Sequence, residues 1–413
     1  MPGLLNDLSK QDTWQEYLAY KRELAQLTKR EEAELHEFVE SQAWQPVVER
    51  LLAPGGRLGV PEKLLINKIG KSSKRVVYSY SAEEQQVLKV LAWLLYHFDD
   101  AHHPQCYSFR RGFGAHRAIR KLTSLANIDS LYCYKLDIQD YFNSIDVERL
   151  LPILAEVFGA DMQLFRFFAG FLQTDEAAFE GSLIHEKRGA MAGTPTAPFL
   201  ANLYLGEMDR ILAARAEAYA RYSDDIIIFA KSAEAVEELR QLAGELLASY
   251  SLRINPAKEQ SSTPGEAWEF LGIAYQQGCI DLSQATQRKL KGKISRKARA
   301  LRRWMLRKDA SPERATAAMI RSMNRKLFER GTAHELTWSR WFFPLINTSK
   351  SLAGIDAYLQ QELRTIATGR HSKTNYRLRY DTLKELGYRS LVHEYYQYLA
   401  QCKEQRARGS SDI

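Results

Sequence analysis

Apolar residues recur along this chain with two different periods. Leu18, Leu24, Leu27, Leu35 and Phe38 return at roughly helical spacing among Glu, Lys and Arg, so residues 12–52 are expected to be helices. Ala53-Pro54-Gly55-Gly56 breaks that pattern. Residues 60–80 carry two short β-like runs, LLINKIG and RVVYSY. Helix returns over 82–98, with Val87, Val90, Leu91 and Leu94 on one face. LYCYKLDI (131–138) reads as a buried strand that ends on a carboxylate. Residues 194–213 read as a helix opened by Thr194-Pro195. ARYSDDIIIFAK (220–231) reads as two short strands around a turn at Ser223-Asp224-Asp225. An amphipathic helix over 233–250 and a strand pair near 268–281 follow. The remainder, 283–402, is mostly helical and strongly basic at its start.

At 413 residues the chain exceeds one ordinary core, and two or three packed units are expected. Apolar residues make up 45% and charged residues 26%, the balance of a soluble globular protein. The net charge of +8 suits a polyanionic partner. Cys106, Cys133, Cys279 and Cys402 form no C-x-x-C pair, so no zinc site or disulfide framework is expected and a reducing cytoplasm is the simplest home. The opening MPGLLNDLSKQDTWQEY lacks the apolar centre of a signal peptide. No run of about 18 apolar residues exists, so no membrane span is expected.

Asp137 closes one apolar run, and Asp224 and Asp225 sit between two others. Carboxylates at buried strand ends are costly unless a cation is bound there. Taken alone, Asp-Asp is the composition of an ordinary hairpin turn. Together, three carboxylates can hold two Mg²⁺ ions about 4 Å apart, which activate an attacking 3′-hydroxyl and steady departing pyrophosphate.

Tyr222-Ser223-Asp224-Asp225 resembles the Y-x-D-D box of reverse transcriptases, and Asp137-Ile138-Gln139-Asp140-Tyr141-Phe142 resembles their first metal motif, D-h-x-x-[FY]-F. The bacterial retron, group II intron and defence-associated types are the most similar. The resemblance runs from about residue 60 to 280 with the boxes in the family's order. It implies that Asp137, Asp224 and Asp225 are metal ligands for two Mg²⁺, or Mn²⁺ in their place, with the Ile138 carbonyl completing the shell. Lys74-Arg75-Val76-Val77 is similar to the fingers segment whose arginine clamps the incoming triphosphate. A guanidinium suits phosphate through its rigid fork. Lys68 is implied as an assistant.

Tyr107-Ser108-Phe109-Arg110-Arg111-Gly112 is similar to Y-G-F-R-P-G, and Ala115-His116-Arg117-Ala118-Ile119 to S-A-H-x-A-I/L; His116 is read as structural. GAMAGTPTAPFLAN (189–202) is similar to P-Q-G-x-P-x-S-P-x-L-A-N, with Met191 in place of Pro and Ala192 in place of Gln. Gly193 is then expected to let the backbone approach the nucleotide. Leu252–Lys258 is similar to L-x-L-N-x-x-K, which makes Lys258 the acid for departing pyrophosphate. Phe270-Leu271-Gly272 matches the F-L-G hairpin that grips the primer. Phe142, five residues after Asp137, is implied to lie beneath the incoming sugar and to exclude a 2′-hydroxyl. A DNA product follows.

Residues 288–308 hold 11 Lys or Arg in 21 positions, with Leu290, Ile294, Ala298, Leu301 and Met305 on one face. The resemblance makes this the thumb, presenting Arg296, Arg299 and Arg303 to a template–primer duplex. Residues 371–397 interleave Tyr with Arg and Lys, which serves base stacking or helix packing equally. No zinc module, nuclease motif or second acidic cluster is visible.

The expected fold is an α+β right-hand polymerase. Its parts are a helical extension (1–55) that packs on the fingers or binds RNA, fingers and palm (56–282), a basic helical thumb and C-terminal region (283–404), and a disordered tail (405–413). The expected activity is RNA-directed DNA synthesis from dNTPs on a noncoding RNA template, giving a DNA product, in bacterial antiphage defence. A retron or intron-maturase enzyme and a non-catalytic RNA-binding scaffold are the rivals. Oligomeric state leaves no sequence signal.

Overall fold

The computed structural model describes residues 3–24, 27–67, 74–329, 337–368 and 379–409. Lys68 and the start of the 371–397 stretch lie outside the described residues. The helices are α1 (Gln11–Leu24), α2 (Lys29–Glu40), α3 (Gln45–Leu52), α4 (Ala82–Leu94), α5 (Ala115–Thr123), α6 (Tyr141–Ser144), α7 (Val147–Phe158), α8 (Met162–Gln173), α9 (Ala197–Tyr204), α10 (Gly206–Arg215) and α11 (Ala233–Ser249). After them come α12 (Gln284–Lys308), α13 (Pro312–Leu327), α14 (Trp338–Phe342), α15 (Lys350–Thr368), α16 (Tyr380–Glu385) and α17 (Leu391–Gly409). Side-chain caps start many of them. Thr28 and Glu31 form a reciprocal capping box on α2, and Ser81, Asp146, Asp161, Ser232, Ser283 and Ser311 each accept a backbone N–H at a helix start.

Among the described residues eleven strands form three sheets. In the fingers, β1 (Glu62–Asn67) pairs antiparallel with β2 (Lys74–Ser79) and touches β4 (Glu176–Phe179) in parallel, and β4 pairs with β5 (Ser182–His185). The palm sheet runs β6 (Ala218–Tyr222), β7 (Asp225–Ala230), β3 (Tyr132–Asp137), β8 (Gln260–Ser262), all antiparallel. Ile226 to Phe229 are all fully buried, so β7 is covered on both faces and its sequence does not alternate. Helix α11 packs on β3 and β7, and α10 on β6. The third sheet is β9 (Trp268–Phe270), β10 (Ile273–Gln276) and β11 (Cys279–Leu282). The α+β class expected from the sequence is the class found.

Four expectations change. The helix expected over 194–213 is two helices, parted at Leu205, whose φ of −103° and ψ of 11° leave the helical region. The 1–55 extension is no separate unit. Leu5, Leu8 and Trp14 lie in one core with α4, α8 and the palm, Trp14 stacks on Trp44 at 5.2 Å, and the Leu4 N–H donates to Asp161 at 2.7 Å. The chain divides into compact units at Gly265 and Glu266 instead of at 282. Strands β9 to β11 go with the C-terminal helices because Asn347 bonds the backbone of Gly278 and Ile280 and the Ser351 N–H donates to Asp281. Finally, α17 runs to Gly409, through most of the segment expected to be a disordered tail.

In the second unit α12 turns Leu290, Ile294 and Ala298 inward and packs on α13 and α15, while Arg296, Arg299 and Arg303 stay exposed. This is the two-faced helix read from the sequence. Among the described residues no helix is long and apolar enough to cross a membrane.

Candidate active site

Strand pairing brings the three carboxylates together. Asp137, the last residue of β3, stands opposite Asp225, the first of β7. Tyr222 pairs with Asp225, so Ser223 and Asp224 form a two-residue hairpin loop. Ser223 takes a left-handed φ of 60°. The Ile138 N–H donates to the Asp224 carbonyl at 3.0 Å, tying the loop to the end of β3.

Asp137 is buried. Lys258 Nζ donates to its Oδ2, and Asn255 Nδ2 to its Oδ1 at 3.2 Å. Asn255 also donates its N–H to the Asp137 carbonyl at 2.8 Å. Burial pushes the Asp224 carboxyl up to about 6, and the nearby charges of Asp137 and Asp225 push the same way. Burial works against the Lys258 charge, but its bond to Asp137 and the neighbouring carboxylates outweigh that and raise its pKa. Lys135 Nζ lies 4.0 Å from Asp225. Among the described residues no three His, Cys, Asp or Glu side chains are already grouped to hold a metal. The donor chemistry still fits a hard dication: three carboxylates converge, and their mutual repulsion is what such an ion relieves.

The fingers reach the site through one loop. Arg75 is exposed on β2. The Tyr78 N–H donates to the Ala192 carbonyl at 2.7 Å, Asn143 Nδ2 to the Val76 carbonyl at 3.2 Å, and the Ala192 N–H to Asn143 Oδ1 at 3.1 Å. Gly193 has φ 102°, and a Cβ there would meet the Tyr78 carbonyl at 2.9 Å. The close approach that Gly193 permits in this structure is therefore to β2. Phe142 follows Tyr141 on α6. Its ring meets Phe109 at 6.4 Å, and Phe109 meets Tyr222 at 6.3 Å. Three motifs distant in sequence thus share one aromatic cluster beside the carboxylates.

The remaining expected residues lie in the second unit. Phe270 is fully buried, so its ring packs inside that unit and only Leu271 and Gly272 form the hairpin tip. Both have positive φ, 49° and 86°, as a two-residue hairpin requires.

Sequence reasoning missed what lies behind the Ser223-Asp224 hairpin. Arg221 and Asp209 are fully buried and bonded twice, Nε to Oδ1 at 2.7 Å and Nη2 to Oδ2 at 2.6 Å. Tyr219 OH donates to the same carboxylate at 2.6 Å. Arg221 also reaches the Asn202 carbonyl at 3.0 Å. Asn202 and Ser108 bond reciprocally, and Ser108 Oγ accepts the Ser223 N–H at 2.9 Å. An arginine two residues before the hairpin, inside an otherwise apolar strand, was the available signal.

Residues 66–275 match the family model described as "Reverse transcriptase (RNA-dependent DNA polymerase)". The chain is 27% identical over 207 residues to the retron Mx65 reverse transcriptase of Myxococcus xanthus, covering 48% of this chain and 47% of that protein. It is 24% identical over 226 residues to the retron Ec86 reverse transcriptase of Escherichia coli, covering 53% and 64%. The chain therefore spans about half to two thirds of the length of these relatives. Among solved structures it is similar to apo telomerase of Candida tropicalis truncated from its C-terminal domain, with a TM-score of 0.43, 13% identity and 56% of each chain covered. It is also similar to telomerase of Candida albicans in complex with a fragment of telomeric RNA, with a TM-score of 0.42, 12% identity and 85% and 68% covered.

Proposed function

Since this chain belongs to the reverse transcriptase family, we propose that it is an RNA-directed DNA polymerase that adds dNTPs to a 3′-hydroxyl. The observation that carries this reading is the pairing of Asp137 with Asp225 across β3 and β7, with Asp224 at the adjoining turn. A scaffold that only binds RNA has no use for three converging carboxylates, one of them kept from ionising easily.

Asp137, Asp224, Asp225 and the Ile138 carbonyl would hold the two Mg²⁺ ions. When bound, those ions supply Lewis-acid activation of the attacking hydroxyl and charge for the departing pyrophosphate. Lys258 keeps a proton on Nζ at neutral pH, next to where pyrophosphate leaves, and so serves as its acid. Arg75 takes the triphosphate from the fingers. Phe142, held by Phe109, closes the space a 2′-hydroxyl would need. Asn143 and Ala192 fix the loop that joins these parts.

Both relatives are named as retron reverse transcriptases; for this chain the proposed template is a noncoding RNA and the proposed role of the synthesis is antiphage defence. Sequencing nucleic acid that co-purifies with the protein tests the template. The activity itself is tested with Asp224→Ala/Asp225→Ala on a primed RNA template. That variant should fold and incorporate no dNTP; undiminished synthesis overturns the reading.

A further inference from the structure

Ser223 has no preference of its own for the conformation it takes. Its φ of 60° is left-handed, which a residue with a side chain keeps only where its surroundings over-determine it. Here the surroundings hold both of its backbone groups. The Ser223 N–H donates to Ser108 Oγ at 2.9 Å, and its carbonyl accepts from Arg221 Nη1 at 3.4 Å. One residue on, the Asp224 carbonyl accepts the Ile138 N–H at 3.0 Å. Of these anchors, the first is a side-chain hydroxyl delivered from 115 residues away.

That hydroxyl is fully buried and committed. Ser108 Oγ donates its proton to Asn202 Oδ1 at 3.0 Å, which leaves a lone pair for the Ser223 N–H; Cys106 Sγ lies at 3.9 Å. Asn202 Nδ2 donates to the Ser108 carbonyl at 2.7 Å, so the amide can present only Oδ1 to the hydroxyl. Backbone bonds seat the segment against β6. The Tyr107 N–H donates to the Arg221 carbonyl at 2.9 Å, and the Arg221 N–H to the Gln105 carbonyl at 3.0 Å. Ser108 stands where the pattern Y-G-F-R-P-G has Gly, which carries no hydroxyl. The tether is therefore an addition of this chain.

We propose that Ser108 is a positioning residue for the chemical step: through the Ser223 N–H it fixes where the turn holds Asp224 and Asp225 against Asp137. This rests on the proposed polymerase function. The next residue, Phe109, meets the Phe142 and Tyr222 rings and so serves the sugar side of the site. Ser108 serves the hairpin. Without its hydroxyl the Ser223 N–H is buried and unpaired, and the left-handed turn must shift to satisfy it. Among the described residues neither Arg75 nor Phe142 bonds to Ser108, so the loss falls on the rate of the step and not on nucleotide binding.

The test joins two measurements. One is steady-state extension of oligo(dT) on poly(rA) with dTTP. The other is hydrogen exchange across residues 219–229, read by mass spectrometry on the protein without nucleic acid. Ser108→Ala should speed exchange there and lower kcat about 10- to 100-fold, the scale of a small misplacement of reacting groups. KM for dTTP and the ratio of UTP to dTTP efficiency should stay as they are. Ser108→Gly, the residue of the family pattern, also lacks the hydroxyl and gives the same reading if Ser108→Ala fails to fold. Faster exchange with unchanged kcat overturns the proposal, since the bond then serves stability alone. Unchanged exchange overturns it too, as does a shifted UTP-to-dTTP ratio, which would place the effect at Phe109 and Phe142. A wild type that makes no DNA overturns the polymerase reading and this proposal with it, whereas an active wild type matched by Ser108→Ala overturns this proposal alone.

Discussion

Arg221 and Asp209 form a doubly bonded ion pair with no exposure to solvent, directly behind the turn that carries Asp224 and Asp225. Removing one partner strands a buried charge. Asp209→Ala should therefore destabilise the protein by about 3–5 kcal/mol, whereas Asp209→Leu with Arg221→Met should cost markedly less, since both charges leave together. Denaturant midpoints of the wild type and the two variants decide this. Equal losses for the single and double variants would mean that packing, and not charge, holds the hairpin.

In the proposed role of Phe142, Phe142→Ala should open the space beneath the incoming sugar. The ratio of rNTP to dNTP efficiency should rise roughly 10- to 100-fold, the scale of discrimination by apolar contact. Steady-state kinetics with both substrates measure it. Since Phe109 braces the Phe142 ring, Phe109→Ala should move the ratio in the same direction by less.

His102 gives the fold a pH dependence of known sign. Burial, with the charge of Arg110 adding, lowers its pKa from 6.5 to about 4. Between those values the unfolded chain binds the proton and the folded chain does not. Stability contributed here is thus complete above about 6.5 and falls as the pH drops towards 4, by about 3 kcal/mol at most. His102→Phe should flatten the curve of unfolding free energy against pH in that window. A wild-type curve of the same slope would exclude His102 as the cause.

Arg296, Arg299 and Arg303 lie on the exposed side of α12, opposite Leu290, Ile294 and Ala298. Their reversal to Glu should leave the melting temperature nearly unchanged and weaken duplex binding, with a salt slope shallower by about 0.9 for each lost phosphate contact. Titration at several salt concentrations checks both parts.

The sheet that carries the carboxylates was legible because its strands are continuous apolar runs: LYCYKLD ends on Asp137, and the hairpin sits between AYARY and IIIF. The basic helix was legible because one face repeats at helical spacing. EAAF, SLIH and QSS were not. They become β4, β5 and β8 by pairing with neighbours, and their own patterns carry little strand signal. The polar support was hidden for a different reason. Ser108 and Asn202 are 94 residues apart, and Arg221 finds Asp209 on another element. Such bonds are properties of the closed chain. Phe270 shows the converse: its motif was readable, but only packing shows that the ring faces inward.

Side chains on a strand alternate between faces, so the antiparallel match of β3 with β7 also fixes an address. Sliding β3 by one residue would keep most of its hydrogen bonds and its apolar character, yet would turn Asp137 to the opposite side of the sheet. Substitution and deletion are therefore unequal events in this strand. Cys133 or Leu136 can exchange for another apolar side chain at modest cost, whereas loss of any single residue between Tyr132 and Asp137 removes the carboxylate from its partners at a stroke. Lineages that keep the chemistry are thereby free to drift in composition here but not in length.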